Sequence, residues 1–86
     1  MNIKILETAE KELEKIDNTL NKMFGKHIEK IALKETSRHL QHGLPFFVEN
    51  VTKQARIVYY IEKEIILIMH CFVTHKEYEK WYKSYK

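Results

Sequence analysis

The spacing of apolar residues changes period three times along this chain. Ala9, Leu13, Ile16 and Leu20 recur at intervals of four, three and four, which marks one face of a helix. The short apolar run Asn2–Leu6 precedes them and reads as a strand. Thr8 stands where a helix N-cap belongs, since its hydroxyl can accept from an early amide. Asp17-Asn18-Thr19 breaks the pattern with short polar side chains that favour a turn and a new cap. The pattern resumes with Met23, Phe24, Ile28, Ile31 and Ala32 and fades by Leu40. This predicts a helical hairpin, with one long bent helix as the alternative. Gly25, inside the second helix, costs about 1 kcal/mol relative to alanine and marks a candidate close approach to the first.

Gly43-Leu44-Pro45 ends the helical region. Phe46–Val51 then reads as a strand and Thr52-Lys53-Gln54 as a turn. Ala55–Ile61 is β-branched and aromatic, a strong strand signal. Glu62-Lys63-Glu64 is a second turn. Ile65–Val73 is the most apolar segment, which predicts a central strand covered by helices on at least one face. Three strands joined by short turns make an antiparallel meander. From His75 onward the spacing is helical again. Tyr78, Trp81, Tyr82 and Tyr85 form one stripe, and Lys76, Lys80 and Lys83 another. The predicted order is β-α-α-β-β-β-α, an α+β domain with its helices to one side of a small antiparallel sheet.

Eighty-six residues allow a single domain over 1–86, with a modest core and marginal stability. A composition 44% hydrophobic and 31% charged is that of a folded protein. The net charge of +3 permits a nucleic acid or an acidic protein as partner without demanding either. Cys71 is the only cysteine, so no internal disulfide can form, and a reducing, cytoplasmic setting is expected. It lies in an apolar run, as a buried and inert thiol would. The N-terminus turns charged too early for a signal peptide, and Ile65–Met69 is too short to span a bilayer. No membrane association is expected. No phosphate-cradling glycine loop is present, and no cofactor is expected. His39 and His42 have the spacing of a zinc pair but lack further ligands, and His70 and Cys71 should point to opposite strand faces. No metal site is expected.

Two stretches of the C-terminal half carry a resemblance. Ala55-Arg56-Ile57-Val58-Tyr59-Tyr60 is similar to the arginine-bearing strand of RelE-type toxins. Phe72-Val73-Thr74-His75-Lys76-Glu77-Tyr78 resembles the end of the last strand in HigB-type toxins. The predicted element order and length also resemble the RelE/ParE superfamily of toxin–antitoxin toxins. The resemblance implies an mRNA endonuclease, or mRNA interferase, acting in the ribosomal A site and held inactive by a cognate antitoxin. Its partners would then be the antitoxin, the ribosome and mRNA. A ParE-like gyrase inhibitor, or a non-catalytic binding module of the same fold, is the alternative. The chain departs from the RelE pattern in lacking paired lysines on the strand before Arg56, where only Lys53, in the turn, is near. The second active-site arginine of several relatives is also missing; its place falls near His75 or Lys76.

Metal-free RNA cleavage needs a base for the 2′-hydroxyl, cations for the charge growing on the phosphate, and an acid for the leaving 5′-oxygen. His75 is the strongest candidate acid or base, because imidazole titrates nearest neutrality. Arg56 suits the phosphate, since its planar fork can donate twice. Lys76 and Lys53 are supporting cations. Tyr78 is a candidate for stacking on a base or positioning the phosphate, and Tyr82 for contacting RNA. Glu49 is a candidate base, set against its reading as an outward polar residue of an alternating strand. The aromatic stripe of the tail reads first as the face that docks it on the sheet. Arg56 and His75 are expected to meet at one sheet edge.

Overall fold

The computed structural model describes residues 2–33 and 46–85. The elements are β1 (Asn2–Ile5), α1 (Glu7–Glu14), α2 (Asn18–Leu33), β2 (Phe47–Asn50), β3 (Arg56–Glu62), β4 (Ile65–Phe72) and α3 (His75–Tyr85). The order and the α+β class are those predicted by the change of period. The Gly43-Leu44-Pro45 break, the fading of the second helix towards Leu40, and His39 and His42 lie outside the described residues.

The sheet runs β1-β4-β3-β2. The meander β2–β3–β4 is antiparallel, but β1 pairs with β4 in parallel, so the sheet is mixed. Tight turns impose antiparallel neighbours; β1 and β4 are joined by no turn, and nothing local sets their relative direction.

A second expectation is also revised. The helices do not share one side. The hairpin α1–α2 covers one face, where Ala9, Phe24, Ile28 and Ile31 meet Ile57, Tyr59, Ile66, Ile68 and Cys71. Helix α3 covers the other, where Tyr78, Trp81 and Tyr82 pack on Phe46, Val58 and Phe72. β3 and β4 are therefore buried on both faces, which explains their nearly unbroken apolar run. A bulge sets the phase. Val58 pairs with His70 but Tyr59 with Ile68, leaving Met69 as the extra residue. Strict alternation would have sent His70 to the same face as Ile68. The bulge instead sends Cys71 there and turns His70 and Phe72 towards α3.

Local features follow from particular side chains. Leu6, not Thr8, is the N-cap of α1, without any side-chain cap; Thr8 lies exposed inside the first turn. Asp17 caps α2 as its position suggests, its Oδ1 accepting from the Leu20 amide at 2.9 Å. Asn21 ties the hairpin, its side-chain amide donating to the Leu13 carbonyl at 2.7 Å. Gly25 is exposed, and a Cβ there would meet nothing within 4 Å, so it marks no close helix approach. Lys63 and Glu64 both have positive φ, 49° and 69°. That is the backbone of a two-residue hairpin turn of the I′ kind, formed here without glycine or asparagine.

β1 stops short of the end of β4. Its last contribution is the Leu6 amide, which donates to the Ile68 carbonyl at 3.0 Å. Beyond that point Glu12 of α1 takes over. Its Oε1 accepts from the Cys71 amide at 2.8 Å, and its Oε2 lies 3.2 Å from His70 Nδ1.

Candidate functional site

The loop between β2 and β3 places Arg56. Thr52 Oγ1 accepts from the amides of Gln54 and Ala55 at 3.1 and 2.9 Å, and Val51 donates to the Ala55 carbonyl at 2.9 Å. Arg56 then opens β3, in register between Asn50 and Phe72. Residues paired across a sheet share a face, so Arg56 points to the α3 side with Phe72. Its Nη1 donates to the carbonyls of Thr52 and Ala55 at 3.0 and 3.1 Å. No carboxylate among the described residues pairs with it. One side of the guanidinium is thus fixed by backbone, and its remaining donors suit an anion.

His75 opens α3 and is held three ways. Thr74 and Glu77 form a capping box below it. The Glu77 amide donates to Thr74 Oγ1 at 3.1 Å, and the Thr74 amide donates to Glu77 Oε1 at 3.2 Å. The amide of His75 donates to Gln54 Oε1 at 3.2 Å. Its ring nitrogen Nδ1 lies 2.6 Å from Glu79 Oε1. The Gln54 contact matters most for architecture, because it ties the loop that carries Arg56 to the helix start that carries His75. Both residues stand at the same end of the sheet.

Tyr78 lies at that end too, its ring 6.0 Å from His75. Burial, helped by Tyr82, pushes its hydroxyl above the usual phenol range, while nearby Arg56 pulls it back down. Tyr78 is accordingly a neutral donor near physiological pH. Tyr82 stands one turn further on, against Tyr78 at 6.0 Å and Phe46 at 6.2 Å. With Trp81, 4.9 Å from Phe46, it docks the helix. Lys53 in the loop and Lys76 in the first turn of α3 are exposed.

Glu49 does not join this group. Val48 pairs with Val58 on the α3 side, so Glu49 pairs with Ile57 and faces the hairpin. It is buried, not outward, with His27 Nδ1 at 2.8 Å and Lys30 Nζ at 3.6 Å. Cys71 is buried as expected, and burial, reinforced by the Glu12 charge, pushes its thiol up to about 12. Such a thiol is no nucleophile. No group of three or more potential metal ligands occurs among the described residues. None of the described helices is long and apolar enough to cross a membrane.

Sequence reasoning overlooked the roles of four residues that organise this end, Gln54, Thr74, Glu77 and Glu79. The Thr74-x-x-Glu77 capping box and the i,i+4 pair His75–Glu79 were both legible as spacings. The Gln54 contact joins two elements and leaves no local signal.

No family model matches the chain, and no curated protein matches it. Solved structures do. The YoeB–YefM complex from Staphylococcus aureus superposes with a TM-score of 0.62 at 15% identity, covering 83% of this chain and 93% of that one. The YoeB dimer from the same organism gives 0.60 at 20% identity over the same shares. A copper-bound mutant toxin from Helicobacter pylori gives 0.64 at 16% identity, covering 90% of this chain and 97% of that one. The chain has the fold of these toxins, which is the RelE-like fold that the C-terminal half and the element order suggested.

Proposed function

We propose that this protein is the toxin of a toxin–antitoxin pair and cleaves mRNA on the ribosome. The carrying observation is the Gln54–His75 contact, which sets a guanidinium with no carboxylate partner among the described residues and an imidazole at one end of the sheet, with a neutral phenol beside them. In this reading Arg56 holds the non-bridging oxygens of the scissile phosphate, and Lys53 and Lys76 add positive field around it. The 2′-oxygen attacks phosphorus while its proton passes to a base, and the P–O5′ bond breaks as that oxygen receives a proton. His75 moves one of these protons and Tyr78 donates a hydrogen bond to the phosphate. The residues named need no metal to do this. Glu49, buried on the far face, has no part in it.

The partner follows from the same reading. One of the matched structures is a heterotetrameric YoeB–YefM toxin–antitoxin complex from Staphylococcus aureus. Here Met23, Leu33, Ile65 and Val73 are large apolar residues left exposed, and an antitoxin would cover part of that surface. Melting with the product of the adjacent gene should raise the transition temperature at saturating partner, and no rise would count against an antitoxin.

The test of the chemistry uses purified protein, ribosomes and a defined mRNA, read by primer extension. The wild type should cut within the A-site codon, and Arg56→Ala and His75→Ala should slow cutting by about a hundredfold or more while remaining folded. If both folded variants cut and arrest growth like the wild type, the site is wrong. Growth arrest without any cutting would instead favour DNA gyrase as the target.

A further inference from the structure

The pair His75–Glu79 is not explained by helix stability. A favourable i,i+4 ion pair places the acid nearer the N-terminus and the base nearer the C-terminus. Here the imidazole sits at the first residue of α3 and the carboxylate one turn later, the reverse order. A cation at a helix N-terminus also opposes the macrodipole. Yet the contact is the shortest ion pair among the described residues, at 2.6 Å. The first turn has other means of support, since Thr74 and Glu77 already form the capping box. Glu79 therefore acts on the ring of His75 more than on the helix.

We infer that Glu79 is a positioning residue for His75: its carboxylate accepts from Nδ1–H and so presents Nε2 as the nitrogen that exchanges a proton with the RNA. The inference rests on the endonuclease reading. A neutral imidazole has one N–H, and whichever nitrogen carries it is set by the partner of the other. A carboxylate cannot donate, so an ionised Glu79 admits only the Nδ1–H form at 2.6 Å. The two anchors of His75 divide the work. Gln54 fixes its main chain relative to the Arg56 loop, and Glu79 fixes the rotation and tautomer of its ring. Together they restrict which atom meets a phosphate held by Arg56. The related arrangement in hydrolases, where an acid orients a catalytic histidine, shows how much a wrong tautomer can matter. The effect here should be smaller, because both side chains are close to half exposed.

Two readouts test this on the intact protein. The first is the tautomer of His75 by nitrogen-15 NMR, above the pH at which the ring is protonated. The wild type should show Nδ1–H, Glu79→Ala should lose that preference, and Glu79→Gln should keep it through its amide oxygen. The second is cleavage of ribosome-bound mRNA. Glu79→Ala should lower kcat about tenfold with KM unchanged, and Glu79→Gln should restore most of the rate. A wild-type Nε2–H tautomer, or a tautomer indifferent to Glu79→Ala, overturns the inference while leaving the endonuclease reading intact. Equal loss in the alanine and glutamine variants also overturns it. A wild type that holds Nδ1–H but cuts no mRNA overturns the endonuclease reading, and the catalytic role of Glu79 with it.

Discussion

The two faces of the sheet are built from different materials. The hairpin face is mostly aliphatic, with Ile57, Ile66 and Ile68 against Phe24, Ile28 and Ile31, and is closed by two helices. The α3 face is aromatic, with Phe46, Phe72, Tyr78, Trp81 and Tyr82, and is closed by one short helix. Aliphatic side chains offer volume, and the buried carboxylate of this face, Glu49, is held by His27 and Lys30, so the first face mainly holds the fold together. Rings with polar tips offer an apolar body to the sheet and a donor to the rim. The principal groups proposed for chemistry, Arg56, His75 and Tyr78, gather at the end of the second face. The fold thus separates a face that carries stability from a face whose margin gathers the groups proposed for chemistry.

That separation is open to attack by substitution. The largest effect should come from Ile68→Ala, at a fully buried position of the hairpin face. It should lower stability by about 2–5 kcal/mol, read by denaturant unfolding, enough to unfold much of so small a domain. Next come Arg56→Ala and His75→Ala, which should lose about a hundredfold in cleavage with the melting temperature nearly unchanged. A large loss of stability in either would erase the distinction between the faces.

A smaller effect concerns Cys71, which belongs to the hairpin face. Its thiol is held protonated up to about 12 in the fold, against 9.0 as the ordinary value. The folded value is raised, so the contribution to stability is complete below pH 9.0 and declines as pH rises towards 12. The decline should approach about 1.4 kcal/mol per pH unit for this one proton. Cys71→Ala should show a correspondingly shallower loss in alkaline unfolding. The smallest effect lies at the hairpin turn, outside both faces. Glu64 holds a φ of 69°, where glycine is unstrained. Glu64→Gly should raise stability by about 1 kcal/mol without altering cleavage.

Most of the architecture was legible because hydrophobic period is a local signal. The helical hairpin, the meander and the amphipathic tail each announce themselves within about ten residues. Tyr78, Trp81 and Tyr82 of the aromatic stripe were read correctly as a docking face. What the sequence concealed depends on partners distant in the chain. The parallel pairing of β1 with β4 and the placement of α3 on the far face have no local code. Glu49 shows the point for single residues. An isolated carboxylate in a strand reads as solvent-facing, and the approach of His27 and Lys30 from α2 helps make its burial tolerable. Arg56 and His75 could be named from their residue types and surroundings. The contact that gathers them, through Gln54, could not.

The reach of Glu12 across the end of β1 bears on how the molecule behaves in company. A strand margin with a free amide invites a neighbouring chain to add its own backbone there, which is how folded domains begin to polymerise. At Cys71 that invitation is withdrawn. Any intruding carbonyl would have to displace a charged acceptor already seated at 2.8 Å. One glutamate on a surface helix thereby guards a stretch of margin that β1 is too short to shield.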